Sequence, residues 1–78
     1  MKELVEFMAK ALVDNPDQVE VTEIAGSDYS VIELKAAKED MGKIIGKKGR
    51  NAQAMRLILN AASAKLRTRR VIFEIIDQ

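Results

Sequence analysis

Gly46-Lys47-Lys48-Gly49, near the middle of the chain, combines what a phosphate group needs: backbone that can come close and charge to neutralise it. Glycine lacks the Cβ that holds most backbones off a polymer, and two glycines permit a tight turn. Lys47 and Lys48 lie between them, Arg50 follows, and Lys43 stands just upstream. A helix beginning after Gly49 would aim its first unpaired N–H groups at the same loop, where an anion is favoured. The chemistry suits a sugar–phosphate backbone. G-x-x-G by itself is weak, because a helix-ending glycine at Gly46 would account for half of it. A nucleotide-hydrolysing loop does not fit, since G-x-x-x-x-G-K-[ST] requires four residues between its glycines and a hydroxyl for magnesium. Here Gly42 and Gly46 are separated by three, and Lys48 stands where the hydroxyl should be.

Charge along the 78 residues is uneven: the formal net charge of +1 conceals −6 over residues 1–34 and +7 over residues 35–78. Between Asp40 and Glu74 there is no acid, whereas Lys43, Lys47, Lys48, Arg50, Arg56, Lys65, Arg67, Arg69 and Arg70 all fall there. Such a stretch is either the footprint of a polyanion or a set of ordinary solvated faces. The chain has no His and no Cys, which removes imidazole bases, thiol nucleophiles, disulfides and zinc sites built on those residues. Its acids gather in the first third with no acid/base pair, so neither an enzyme nor a metal or cofactor is expected. No run of about 18 apolar residues exists to span a bilayer. The first residues, with Glu3 and Glu6, lack the pattern of a signal peptide, so a cytoplasmic protein without membrane association is expected.

The elements that must hold the loop can be read on either side of it. Leu4, Val5, Met8, Ala11 and Leu12 recur at helical spacing, with Phe7 widening the stripe, and Asp14-Asn15-Pro16 ends a helix over residues 2–13. β-Branched residues from Gln18 to Ile24 predict a strand, and the alternation from Tyr29 to Ala36 predicts another, with Gly26-Ser27-Asp28 as the turn between them. Glu39 and Asp40 suit the start of a helix of barely two turns that carries Met41, Ile44 and Ile45. A longer helix runs from Arg50 to Leu66 on a stripe of Ala52, Met55, Leu59, Ala62 and Leu66. Val71 to Ile76 reads as a mostly buried strand, and Phe7 and Phe73 as core residues. The whole is one small α+β domain over residues 1–78.

Read in that context, Gly42-Lys43-Ile44-Ile45-Gly46-Lys47-Lys48-Gly49-Arg50 resembles the I-I-G-x-x-G core of the KH domain, a single-stranded nucleic-acid-binding module. The order α-β-β-α-α-β is similar to the type II arrangement, in which a three-stranded mixed sheet carries its helices on one face. The resemblance implies binding of short single-stranded RNA, about four nucleotides across the groove, in an RNA chaperone or post-transcriptional regulator. It implies an RNA site of Lys43, Ile44, Ile45, Gly46, Lys47, Lys48, Gly49 and Arg50. One of the two isoleucines packs on the sheet and the other floors the base groove. Ala52 and Asn51 depart from the larger or apolar residues common at those positions, which leaves base preference open. An RRM-type stacking sheet is disfavoured, since Phe7, Tyr29 and Phe73 are the only aromatic residues.

The long helix carries a second apolar stripe, Ala54, Leu57, Ala61 and Ala64, nearly opposite the first. Alanine tolerates exposure in a helix, but Leu57 is harder to excuse. That stripe predicts a dimer interface, either with a second copy or with another KH protein, pairings the resemblance also implies. The alternative function is therefore a protein-interaction subunit in which RNA binding is secondary.

Overall fold

The computed structural model describes residues 1–76. Helix α1 (Lys2–Leu12) turns Val5 and Ala9 inward. A 3-10 turn, Pro16–Gln18, begins at the proline, whose fixed φ suits a first helical position. This turn delays the first strand, so β1 (Glu20–Ala25) starts two residues later than the β-branched pattern suggests. It pairs antiparallel with β2 (Tyr29–Lys35), from Glu20 opposite Lys35 to Ala25 opposite Ser30. The Gly26 N–H donates to the Tyr29 carbonyl at 2.8 Å to close the turn.

The chain then leaves the sheet through a 3-10 turn, Lys38–Asp40, and runs through α2 (Met41–Ile45) and α3 (Arg50–Leu66). It returns as β3 (Arg70–Ile75), parallel to β2 with Tyr29 beside Arg70 and Leu34 beside Ile75. The sheet order is β1-β2-β3, so both outer strands have a free edge. α1 packs over β1 and α3 over β3, with α2 against α3.

One core forms between the layers, where Val21, Ile32, Leu34, Val71 and Phe73 from the sheet meet Val5, Ala9, Met41, Ile44, Met55 and Leu59 from the helices. Burying an aliphatic side chain of this kind contributes about 1.5–3 kcal/mol. The α+β fold and its element order are those expected.

Several expectations about burial are corrected. Phe7 is 73% exposed; two residues from Val5 is about 200° around a helix, so Val5 and Phe7 cannot share an inner face. Ala11 is exposed for a similar reason. On α3, Ala52, Met55 and Leu59 are buried and Ala62 half-buried, but Leu66 is 64% exposed. Leu66 lies on the same side as Leu59, so the last turn projects past the layer beneath it. Ser63, a polar residue between these apolar positions, is buried, and its hydroxyl donates to the Asn60 carbonyl at 3.1 Å. β3 alternates, with Val71 and Phe73 inward and Arg70, Ile72 and Glu74 outward, because helices cover one face of the sheet only. The expected end of that strand at Ile76 falls one residue past its observed limit.

Candidate nucleic-acid interface

α2 delivers the loop. It is short because Gly46 ends it: the Gly46 N–H donates to the Gly42 carbonyl at 2.8 Å, and the backbone then turns to φ 77°, ψ 171°. A Cβ at Gly46 would sit 2.6–2.9 Å from side-chain atoms of Asn51. Asn51 occupies that space because its Nδ2 donates to the Lys43 carbonyl at 2.8 Å, joining the first turn of α3 to the last turn of α2. The unusual Asn thus fastens the joint that frames the loop.

Across the loop, Lys47–Gly49 forms one 3-10 turn, closed by the Gly49 N–H on the Gly46 carbonyl at 3.0 Å. Lys48 (φ 56°) and Gly49 (φ 74°) both adopt left-handed backbone. The peptide groups double back on themselves, and the side chains of Lys47 and Lys48 are left in solvent beside Arg50 at the start of α3. None of these three cations enters an ion pair among the described residues. Ile44 is fully buried, whereas Ile45 is partly exposed at the loop. One isoleucine therefore packs in the core and the other reaches the surface beside the loop.

Lys43 differs from the other cations. Its Nζ lies 3.0 Å from Asp14 Oδ2 and 4.0 Å from Asp40 Oδ1. The hydrogen bond to Asp14, with the charge of that carboxylate, raises the Lys43 pKa. Lys43 is thus tied to the fold, with half its side chain exposed.

Asp40, expected as a charge at a helix start, is buried and works as an anchor. It accepts hydrogen bonds from the Asp14 N–H at 3.3 Å, the Asn15 N–H at 3.0 Å and Asn15 Nδ2 at 3.0 Å. Burial pushes its pKa up; the hydrogen bonds from Asn15 and Asp14, with Lys43 nearby, outweigh that and hold it below the ordinary value. Asp14-Asn15-Pro16 is consequently both a helix stop and the receptor for Asp40. No local pattern links positions 14–15 to position 40, which is why the contact is invisible along the chain.

Beyond the loop, a groove runs between α3 and the free edge of β3, lined by Arg56, Leu59, Asn60 and residues 70–73. The Arg56 guanidinium lies over the Phe73 ring, 5.7 Å from its centroid. Such placement holds the cation at the groove wall by attraction to the ring face. A second, apolar groove separates α1 from α3 on the other side, lined by Phe7, Met8, Ala11 and Leu12 against Asn51, Ala54, Met55 and Ile58. Leu57, of the expected dimer stripe, is 70% exposed, and Ala54, Ala61 and Ala64 are exposed with it. Phe7 and Ile58 widen this face, and neither was foreseen; the periodicity of α1 alone should have turned Phe7 outward.

A mixed three-stranded sheet, with a helix and strand ahead of a strand-helix-helix-strand unit and an Ile-Ile-Gly-Lys-Lys-Gly loop between that unit's helices, defines a type II KH domain. More narrowly, the chain belongs to the KhpA/KhpB family of KH domains, whose family model it matches over residues 2–75. It is 62% identical over 76 residues to a protein named RNA-binding protein KhpA from Caldanaerobacter subterraneus subsp. tengcongensis, covering 97% of this chain and 100% of that one. A protein of the same name from Clostridium acetobutylicum is 53% identical over 97% of this chain and 100% of its own length. The corresponding Aquifex aeolicus protein is 49% identical over 99% of this chain and 96% of its own. No solved structure matches significantly.

Proposed function

We propose that this chain binds short single-stranded RNA without catalysis, gripping the backbone at Gly46–Gly49, as a cytoplasmic RNA chaperone or post-transcriptional regulator. The carrying observation is the loop itself: two glycines at positive φ bracket two exposed lysines, with Arg50 beside them and no carboxylate paired to any of the three among the described residues. Lys47, Lys48 and Arg50 neutralise phosphates, and Lys43, held by Asp14, adds field to the site. Ile45 meets a base while Ile44 supports the loop from the core. The names of the relatives favour RNA as the ligand. Lys47→Asp with Lys48→Asp should abolish binding of a short unstructured RNA in a fluorescence anisotropy titration and leave the melting temperature unchanged. Wild-type affinity in that variant would remove the loop from the mechanism, and competition by the matching DNA would test the choice of sugar.

A second reading, self-association or pairing with a KhpB-like KH protein, draws on the outer face of α3. Leu57 and Phe7 are mostly exposed there, and small alanines at positions 54, 61 and 64 allow a close helix approach. A dimer would present two loops to one RNA and gain avidity. Ala61→Glu puts a charge in the seam without touching the buried stripe, so it should shift a sedimenting dimer to monomer. A wild-type chain that stays monomeric at high micromolar concentration would exclude the homodimer.

A further inference from the structure

Among the described residues, two non-glycine positions adopt left-handed backbone, and both are cations at the ends of α3: Lys48 just before it and Arg67 just after it, at φ 55°. At Arg67 the backbone closes the helix, with the Arg67 N–H on the Ala64 carbonyl at 3.3 Å and the Thr68 N–H on the Ser63 carbonyl at 3.0 Å. These are the two bonds of a Schellman closure, and they use main chain only. Glycine adopts this conformation without the steric strain that an L side chain meets. The closing hydrogen bonds therefore gain nothing from arginine, and strain kept at a charged residue argues for a use of the side chain.

The neighbourhood extends the parallel with the loop. Lys65, Arg67, Arg69 and Arg70 are all exposed, and none is ion-paired among the described residues. Favourable interaction with the carboxyl end of α3 accounts for Lys65 and Arg67 at most, because that field fades within the last turn. Arg69 is oriented across the corner, its Nε donating to the Ser27 carbonyl at 3.3 Å. Arg70 lies beside Tyr29 in the parallel register, and Tyr29 is 48% exposed. Asp28, in the adjoining turn, is the single acid next to this group in the chain. An exposed tyrosine next to Arg70 in the sheet, with Arg69 held at the adjoining turn, offers a stacking surface and phosphate neutralisation together.

We propose that this corner, Lys65, Arg67, Arg69 and Arg70 with Tyr29, is a second contact for single-stranded RNA, taking nucleotides beyond those held at the Gly46–Gly49 loop. The proposal rests on the loop reading above. The 17 residues of α3 set the two contacts about 25 Å apart, at ~1.5 Å per residue. The groove walled by Arg56, Asn60 and Arg70 runs between them. RNA that fills only a four-nucleotide grip leaves the corner empty, and longer RNA engages both.

The test compares a tetranucleotide with an unstructured dodecanucleotide. Arg67→Gly should raise the melting temperature or leave it unchanged, yet weaken dodecanucleotide binding severalfold. Its log–log salt slope should become shallower by about 0.7 for the lost phosphate contact. Arg69→Gln with Arg70→Gln should weaken the longer RNA similarly, and Tyr29→Ala should weaken it by roughly tenfold, as expected for one stacked base. Tetranucleotide binding should follow wild type in each. An Arg67→Gly protein that binds both lengths like wild type, while Lys47→Asp with Lys48→Asp binds neither, overturns the corner and leaves the loop standing. A length preference created only by two loops of a dimer would survive Arg67→Gly and so count against the corner. The converse, dodecanucleotide still bound by the Lys47→Asp, Lys48→Asp variant but lost from Arg67→Gly, overturns the loop reading and with it the corner's place as a second contact.

Discussion

At Gly46 the backbone angles of φ 77° and ψ 171° lie in a region open essentially to glycine alone, whereas Gly49, at φ 74° and ψ 15°, sits in the left-handed region that Asn and some other residues tolerate. Space differs too: a Cβ at Gly49 meets nothing within 4 Å, and one at Gly46 meets Asn51. Gly49→Ala should therefore cost about 1–2 kcal/mol in denaturant unfolding, and Gly46→Ala about 3 kcal/mol or more from strain and collision together. Adding Asn51→Ala to Gly46→Ala should return the collision part, so the pair will be non-additive. Asp40 sets the acid limit. Its folded pKa is depressed, so the stability it contributes is present above its ordinary value of 3.8 and lost as pH falls through the lower folded value. Asp40→Asn should lower the melting temperature at neutral pH and flatten its decline below about pH 4, as followed by circular dichroism.

At the scale of elements, periodicity carried most of the reading. Helix α3 was legible to its last residue, since a stripe repeating every three and four residues leaves little choice. The alternation that predicts β2 is repeated in its burial, with Ile32 and Leu34 turned inward and Lys35 in solvent. Failures came where burial depends on the neighbouring layer. Whether β3 is covered on one face or two cannot be read from Val71-Ile72-Phe73, and Leu66 keeps the right phase but has no layer beneath it. The candidate loop was legible because its glycines and cations are contiguous. Its supports were not: Asp40 reaches back to Asn15, and Asn51 reaches across the joint to Lys43, and a chain read locally reveals neither partner. Burial splits Ile44 from Ile45 as the helical turn requires, since neighbours on a helix point about 100° apart.

On the scale of the whole molecule, the β1–β2 hairpin is local, whereas β3 joins β2 only after the helical crossover, with Tyr29 meeting Arg70. Contacts so distant along the chain form after the closing of a long loop, and topology of this kind slows folding. Val71 and Phe73 share the core with Met55 and Leu59, so the side of α3 that frames the loop gains its footing when β3 docks. Ribosome-bound chains stalled before Arg70 has emerged are expected not to bind RNA, and chains carried clear of the ribosome past Ile75 on an added C-terminal linker to bind; crosslinking of the two populations to a labelled oligonucleotide would measure this. The placement of the loop inside the β2–β3 crossover then has a temporal meaning. Translation delivers the lysines early and the strand that steadies them late, so a growing chain is expected to be inert toward the very message being read.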